Sequence, residues 1–345
     1  MTVKIFEAPY NNRFDKPSNY YSNNGDGFMR NGEFFFTSEK GSWFNSDWLI
    51  VPENPYACFM TDIPRERRIL FVLEPPEIHG LIPYFIEQFG YVVSLSPIPD
   101  YSGRTVITNP KLGWTAGLSG ELSTYGKAMN YHLPQKLRTL SMISSLKHKT
   151  EYHRKRIHFM RELQREFSGV IDCYGREFNP VDDKISAITP YKYHVVIENS
   201  KHENYHTEKL TDAWVCWSLP IYFGDPKILE HVPDKNGIEI INVDDVEGSI
   251  AKIHEIVDND VYPSRIEAIR KCREWALKES NMYETACDII TKSNDDTPKL
   301  KTPELLRRLV SSRKNSVYNA LKLISTDYAD KIFTAYHRMK GRFWE

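Results

Sequence analysis

A chain of 345 residues has room for two domains of ordinary size, each burying its own core. Its 41% hydrophobic and 26% charged residues exclude a disordered or fibrous chain, and a net charge of −1 supplies no global field that would select nucleic acid. Five scattered cysteines, Cys58, Cys173, Cys216, Cys272 and Cys287, contain no C-x-x-C pair, which argues against a disulfide framework or a zinc site and for a reducing compartment.

The opening "MTVKIFEAPYNNRF" has neither the basic start nor the continuous apolar core of a secretory signal. No run approaches the roughly 20 apolar residues of a membrane span. A cytoplasmic location is the expectation. The first part then reads as short apolar strands, "TVKIF", "EFFFT", "DWLIV", "RILFVL" and "YVVSL", with a helix expected over "GLIPYFIEQF" before the last of them. Beyond Asn109 a stretch rich in Gly, Ser and aromatics reads as loops leading to a boundary near Pro134.

The second part opens with a strand candidate, "LRTLSMISS", and the helix "TEYHRKRIHFMRELQREF", whose Ile157, Met160, Leu163 and Phe167 recur at helical spacing. Strands "GVIDC", "YHVVI", "LPIYF" and "GIEIINV" follow, with a helix opening at about Thr207. Strands alternating with helices predict an α/β domain built on parallel sheet. From Pro303 onward nine lysines and arginines face four acidic residues, with leucines and isoleucines interspersed. This tail reads as basic amphipathic helix, packed back on the body or touching an anionic membrane at its inner face.

Between "YHVVI" and the Thr207 helix lies the polar loop "ENSKHENYHTEKL". In a parallel sheet, ligands bind beyond the carboxyl ends of strands, which is where Glu198, Asn199, Tyr205, Glu208 and Lys209 fall. Thr207 is the expected N-cap, with Leu210, Ala213, Trp214 and Trp217 on the apolar face behind it. Glu208 in the first turn suits the helix dipole. Lys209 is opposed by it by roughly 0.3–1 kcal/mol. An anion at the helix start explains that lysine, because free amides and an ammonium together make a phosphate site; the alternatives are that it snorkels to solvent or pairs with Glu203.

The stretch "YKYHVVIENSKHENYHTEKLTDAWVCWSLPIYFGDP" resembles the donor-binding signature of the glycosyltransferase family 10 fucosyltransferases, in the bacterial or viral, α-1,3-type form. The resemblance implies a GT-B fold of two facing Rossmann-like α/β domains: residues 1–136 on the acceptor side, 137–297 holding the GDP-sugar, and 298–345 as the basic tail. It implies that Lys209 neutralises the diphosphate of GDP-fucose, that Glu208 accepts hydrogen bonds from the ribose, and that Tyr205 and Asn199 line the donor pocket, which Glu198 enters from the strand end. The family's diphosphate-binding arginine lies seven residues before a leucine, which in "RIHFMREL" selects Arg156, with Arg154 as the fallback. "DCYGREF" fits the Asp-x-Tyr-Gly element after the same helix. "SSLKHKTEY" departs from the family's Ser-Asn-Cys and leaves the donor contacts made there open.

The catalytic base implied by the resemblance is Glu74, at the end of the strand "RRILFVLEPPEI", where Pro75 keeps it extended; Glu77 is the runner-up. The implied reaction is inverting transfer to a hydroxyl of an oligosaccharide or glycolipid. It needs a base for the acceptor proton and cations for the departing diphosphate, and with Arg156 and Lys209 in the second role no metal is required. "DND" at 258–260 reads as a helix end, not a metal motif. Three alternatives stay open: another GDP-6-deoxyhexose donor, a glycan- or nucleotide-binding protein without catalysis, or a chiefly membrane- or polyanion-binding protein acting through the basic tail.

Overall fold

In the computed structural model, residues 2–8, 17–39, 41–55, 58–75, 83–148, 150–293 and 296–307 are described. The strands in chain order are β1 Val3–Glu7, β2 Phe28–Met29, β3 Phe34–Thr37, β4 Trp48–Pro52, β5 Phe59–Thr61, β6 Arg68–Phe71, β7 Tyr91–Ser94 and β8 Arg104–Ile107, then β9 Arg138–Ile143, β10 Ile171–Tyr174, β11 Tyr191–Ile197, β12 Leu219–Phe223, β13 Glu239–Ile240 and β14 Glu304–Leu306. They form two principal sheets. The first runs β2-β3-β1-β4-β6-β7-β8, parallel except for the β2-β3 pair, and the second runs β10-β9-β11-β12-β13, parallel throughout.

Strands β4 and β6 are buried at every residue, as expected of parallel strands covered on both faces. Alternate residues then serve opposite cores. Ile50, Ile69 and Phe71 face one, and Leu49, Val51 and Leu70 the other. In the second sheet, Tyr193, Val195 and Ile221 share a core with Phe159, Met160 and Leu163 of helix Glu151–Glu166, and with Leu210, Ala213 and Trp214 of helix Glu208–Val215.

Several elements differ from the sequence reading. The helix expected over 80–89 is described only as Pro83–Ile86, with residues 76–82 outside the described set. "GIEIINV" supplies two strand residues, and β8 with the helices Tyr262–Glu279 and Met282–Ser293 was not foreseen. The stretch after Asn109, read as loops, is irregular except for the short helix Tyr125–Met129, and Trp114, Ala116 and Leu122 in it are fully buried. Helix Met282–Ser293, inside the span 137–297, puts Tyr283, Ala286 and Cys287 into the core of the first sheet. Within 298–345, β14 pairs antiparallel with β5 and Leu306 is buried; from residue 308 the chain, with its expected amphipathic helix and membrane contact, lies outside the described residues. Among the described residues no helix is long and apolar enough to cross a membrane.

Candidate active site

The polar loop after β11 is closed by a buried carboxylate. Glu198 is 0% exposed, and its oxygens accept the Thr207 N–H at 2.7 Å, the Thr207 hydroxyl at 2.9 Å and the Lys209 ammonium at 2.9 Å. One acid therefore ties the strand end to the helix start, so the eight intervening residues of the polar loop can stand between two buried segments. Thr207 caps helix Glu208–Val215 through its hydroxyl, as the sequence reading expected. Gly224 completes the arrangement. A Cβ there would come within 2.6 Å of Glu198 Cγ, so the glycine of "FGDP" lets β12 run past the buried acid.

Lys209 does not pair with Glu203, the ion-pair partner weighed from sequence. Glu203 pairs with Lys227 at 2.9 Å, while Lys209 takes Glu198 and the Thr207 hydroxyl. Burial opposes its charge, but the Glu198 and Glu208 carboxylates outweigh that and hold its pKa above the ordinary value. Glu208 mirrors it: burial works against ionisation, yet Lys209 and Lys184 bring its carboxyl down to about 2.

Arg156 comes from helix Glu151–Glu166, which opens on a capping box between Thr150 and His153. The buried face of that helix carries Arg156 together with Phe159, Met160 and Leu163, whereas Ile157, expected on the apolar face, is only partly covered. The guanidinium donates to Asn199 Oδ1 at 2.6 Å and to the Ser145 carbonyl at 3.1 Å. Its Nε has no partner among the described residues. Burial lowers its pKa, partly offset by Glu198 and Tyr205. Arg154 is exposed and reaches the His148 carbonyl at 3.5 Å, away from the cleft.

Glu74 enters from the other sheet. It follows β6, is partly buried, and accepts a hydrogen bond on Oε2 from the Tyr205 hydroxyl at 3.2 Å, across the cleft. Burial raises its pKa above the ordinary carboxylate value; Lys209 and the Tyr205 hydroxyl work against that rise without cancelling it. Glu77 lies outside the described residues.

Glu74, Arg156, Asn199, Tyr205, Glu208 and Lys209 all line one cleft of about 500 Å³. Glu198 does not. It is the buried counter-charge behind the lining.

The cleft also contains residues that sequence reasoning missed. Lys184 donates to Asp212 at 2.9 Å and Thr115 at 2.8 Å and stands 3.5 Å from Glu208, so it adds a second positive neighbour to that acid beside Lys209. No motif marks it. Ser144 and Ser145, from the segment that departs from the family pattern, line the cleft as well. A signal for them was present in "DCYG". Gly175 has φ +140°, and a Cβ on it would overlap the Ser144 carbonyl oxygen, so the glycine marks where two strand ends converge on the site.

The histidines are not arranged for metal. His202 bonds a neighbouring carbonyl, and His206 is buried, with burial bringing its pKa down to about 3. Among the described residues no group of three or more His, Cys, Asp or Glu side chains could hold an ion. Asp258 ends helix Val246–Asp258, and Asp260 pairs with Lys192 at 2.7 Å, the helix-end context expected for "DND".

Two α/β sheets, with a cleft between them lined by Arg156 and Lys209 on one side and by Glu74 on the other, form the GT-B glycosyltransferase fold. Residues 133–307 match the model of glycosyltransferase family 10 (fucosyltransferase), C-terminal region, and the chain belongs to that family. Among similar proteins are a putative fucosyltransferase-like protein of Arabidopsis thaliana, 36% identical over 22% of this chain and 16% of its own length, and a 4-galactosyl-N-acetylglucosaminide 3-alpha-L-fucosyltransferase of Homo sapiens, 26% identical over 38% of this chain and 41% of its own. These matches therefore span under half of each relative, 16% and 41%. A crystal structure of an alpha1,3-fucosyltransferase superposes with a TM-score of 0.51, covering 88% of this chain and 92% of that one at 16% identity, a likeness of fold.

Proposed function

We propose that this chain transfers fucose from GDP-fucose to a hydroxyl of a glycan, an oligosaccharide or glycolipid, forming an α-1,3 linkage with inversion at the anomeric carbon. The observation that carries the proposal is that Glu74, Arg156 and Lys209, from three distant parts of the sequence, line one cleft. Family membership and the names of the relatives support the reaction class, and a crystal structure of an alpha1,3-fucosyltransferase with GDP-fucose, which shares the fold with a TM-score of 0.50 at 15% identity, supports the donor.

In the reaction Glu74 takes the proton of the acceptor hydroxyl as that oxygen forms its bond to the anomeric carbon. The bond from this carbon to the phosphate oxygen breaks, and its electron pair leaves with GDP. Arg156 and Lys209 meet the charge that grows on the diphosphate, the first as a planar fork and the second as a point charge. Asn199 aims the arginine, and Glu208, kept ionised, accepts from the ribose hydroxyls. Glu198 and Lys184 hold these groups in place without touching substrate. With two resident cations on the leaving group, turnover needs no divalent ion.

The test is to supply GDP-fucose and a panel of galactosyl-N-acetylglucosamine acceptors with EDTA present, and to read GDP release and product linkage by NMR. A fucosylated product with the linkage at a 3-hydroxyl is expected. GDP-fucose left intact while another GDP-6-deoxyhexose is consumed would reassign the donor, and a rate restored only by manganese would remove the metal-free step.

A further inference from the structure

Glu74 is held from two sides by groups on different halves of the molecule. Its side chain accepts the Tyr205 hydroxyl on Oε2 at 3.2 Å. Its main-chain N–H points at Glu53 Oε2 at 3.3 Å, and the same oxygen accepts the Leu73 N–H at 2.6 Å. Glu53 directly follows β4, is 7% exposed, has a left-handed φ of +56°, and donates its own N–H to the Phe71 carbonyl at 2.7 Å. The ends of β4 and β6 are thereby locked together under Glu74. A bulky residue in the left-handed region is uncommon and is kept only where its surroundings fix it.

Tyr205 supplies the second attachment from across the cleft. It is 1% exposed in the donor loop, and its carbonyl accepts the Tyr222 hydroxyl at 3.3 Å. Burial drives its own pKa up, so it is a fixed donor and not a proton acceptor. A hydroxyl donated to Oε2 selects one orientation of the carboxylate and leaves Oε1 to receive a proton. We propose that Glu53 and Tyr205 are positioning residues forming a two-sided clamp on Glu74, so that the base is aimed only while the donor loop is seated. The clamp rests on the assignment of Glu74 as general base.

Four groups face Glu74: Tyr205 and Lys209 favour its ionised form, and Glu53 and Glu208 oppose it. The two clamp members therefore have opposite electrostatic effects, which a purely structural role does not imitate. Tyr205→Phe removes a donor to the carboxylate and moves the acid limb of the kcat/KM profile to higher pH, with a loss of about tenfold at the plateau and GDP affinity within about threefold of wild type. Glu53→Gln keeps an acceptor for the two N–H groups while removing a negative neighbour, and moves the limb to lower pH.

Glu74→Gln is the control, and activity is read in the full chain for all variants. Full transfer by Glu74→Gln overturns both the base and the clamp. Transfer lost in Glu74→Gln, with the limb of Tyr205→Phe unmoved and its kcat/KM reduced only as far as its GDP affinity, overturns the clamp alone and makes Tyr205 a wall of the donor pocket. Should Glu53→Gln not fold, the direction of the Tyr205→Phe shift still decides.

Discussion

The two sides of the cleft are built differently. On the donor side, Glu198, Thr207, Glu208 and Lys209 lie within 12 residues of one another and compensate each other's charges, with Lys184 and Arg156 added from outside. On the facing side one acid, Glu74, lies three residues beyond the end of β6 and is held by residues 21 positions before it and 131 after it. The donor side is thus a self-contained electrostatic unit whose parts serve fold and chemistry together. The acceptor side is a single group whose chemistry depends on contacts gathered from both halves.

Four substitutions or conditions can break or sharpen that contrast. The largest effect is expected for Glu74→Gln, which lowers turnover about 10²- to 10⁴-fold with thermal stability within about 0.5 kcal/mol of wild type, checked by steady-state rates and thermal melts. A marked loss of stability there would erase the asymmetry. Lys209→Ala removes a leaving-group cation and leaves Glu198 buried without its ion-pair partner. A loss of about 10²- to 10³-fold in turnover is expected together with a stability cost on the order of 3 kcal/mol, read from urea unfolding. Unchanged stability would mean that the donor side is not the self-supporting unit described above.

Gly175→Ala tests the meeting of β9 and β10 at the donor side. Its Cβ overlaps the Ser144 carbonyl at a backbone angle that L-residues avoid, so a cost of about 1–3 kcal/mol and weaker GDP binding are expected by calorimetry. The smallest effect is that of pH. Glu208 has a folded-state pKa of about 2, below its ordinary 4.5, so its contribution to stability is present above about pH 4.5 and is lost as pH falls toward 2. Urea midpoints at pH 7 and pH 3.5 should differ less in Glu208→Gln than in wild type. Equal slopes would mean that Lys184 and Lys209 do not hold the acid ionised.

The contrast also explains what could be read from the sequence. The donor side was legible because its strand, loop and helix are contiguous, and the N-cap at Thr207 follows from local sequence. The partner of Lys209 was not, since choosing Glu198 over Glu203 depends on how the loop folds back. Arg156 could have been singled out without any resemblance, as a cation in register with Met160 and Leu163 on a buried helix face. Lys184, Glu53 and the seating of helix Met282–Ser293 against the first sheet depend on long-range packing, which leaves no mark in local spacing.

A crystal of the chain soaked with GDP offers the most direct test. The diphosphate is expected at the amino end of helix Glu208–Val215, with its oxygens within hydrogen-bond reach of both the Arg156 guanidinium and the Lys209 ammonium. Nucleotide bound elsewhere, or bound there with Lys209 still turned only to Glu198 and Arg156 only to Asn199 and Ser145, would contradict the assignment.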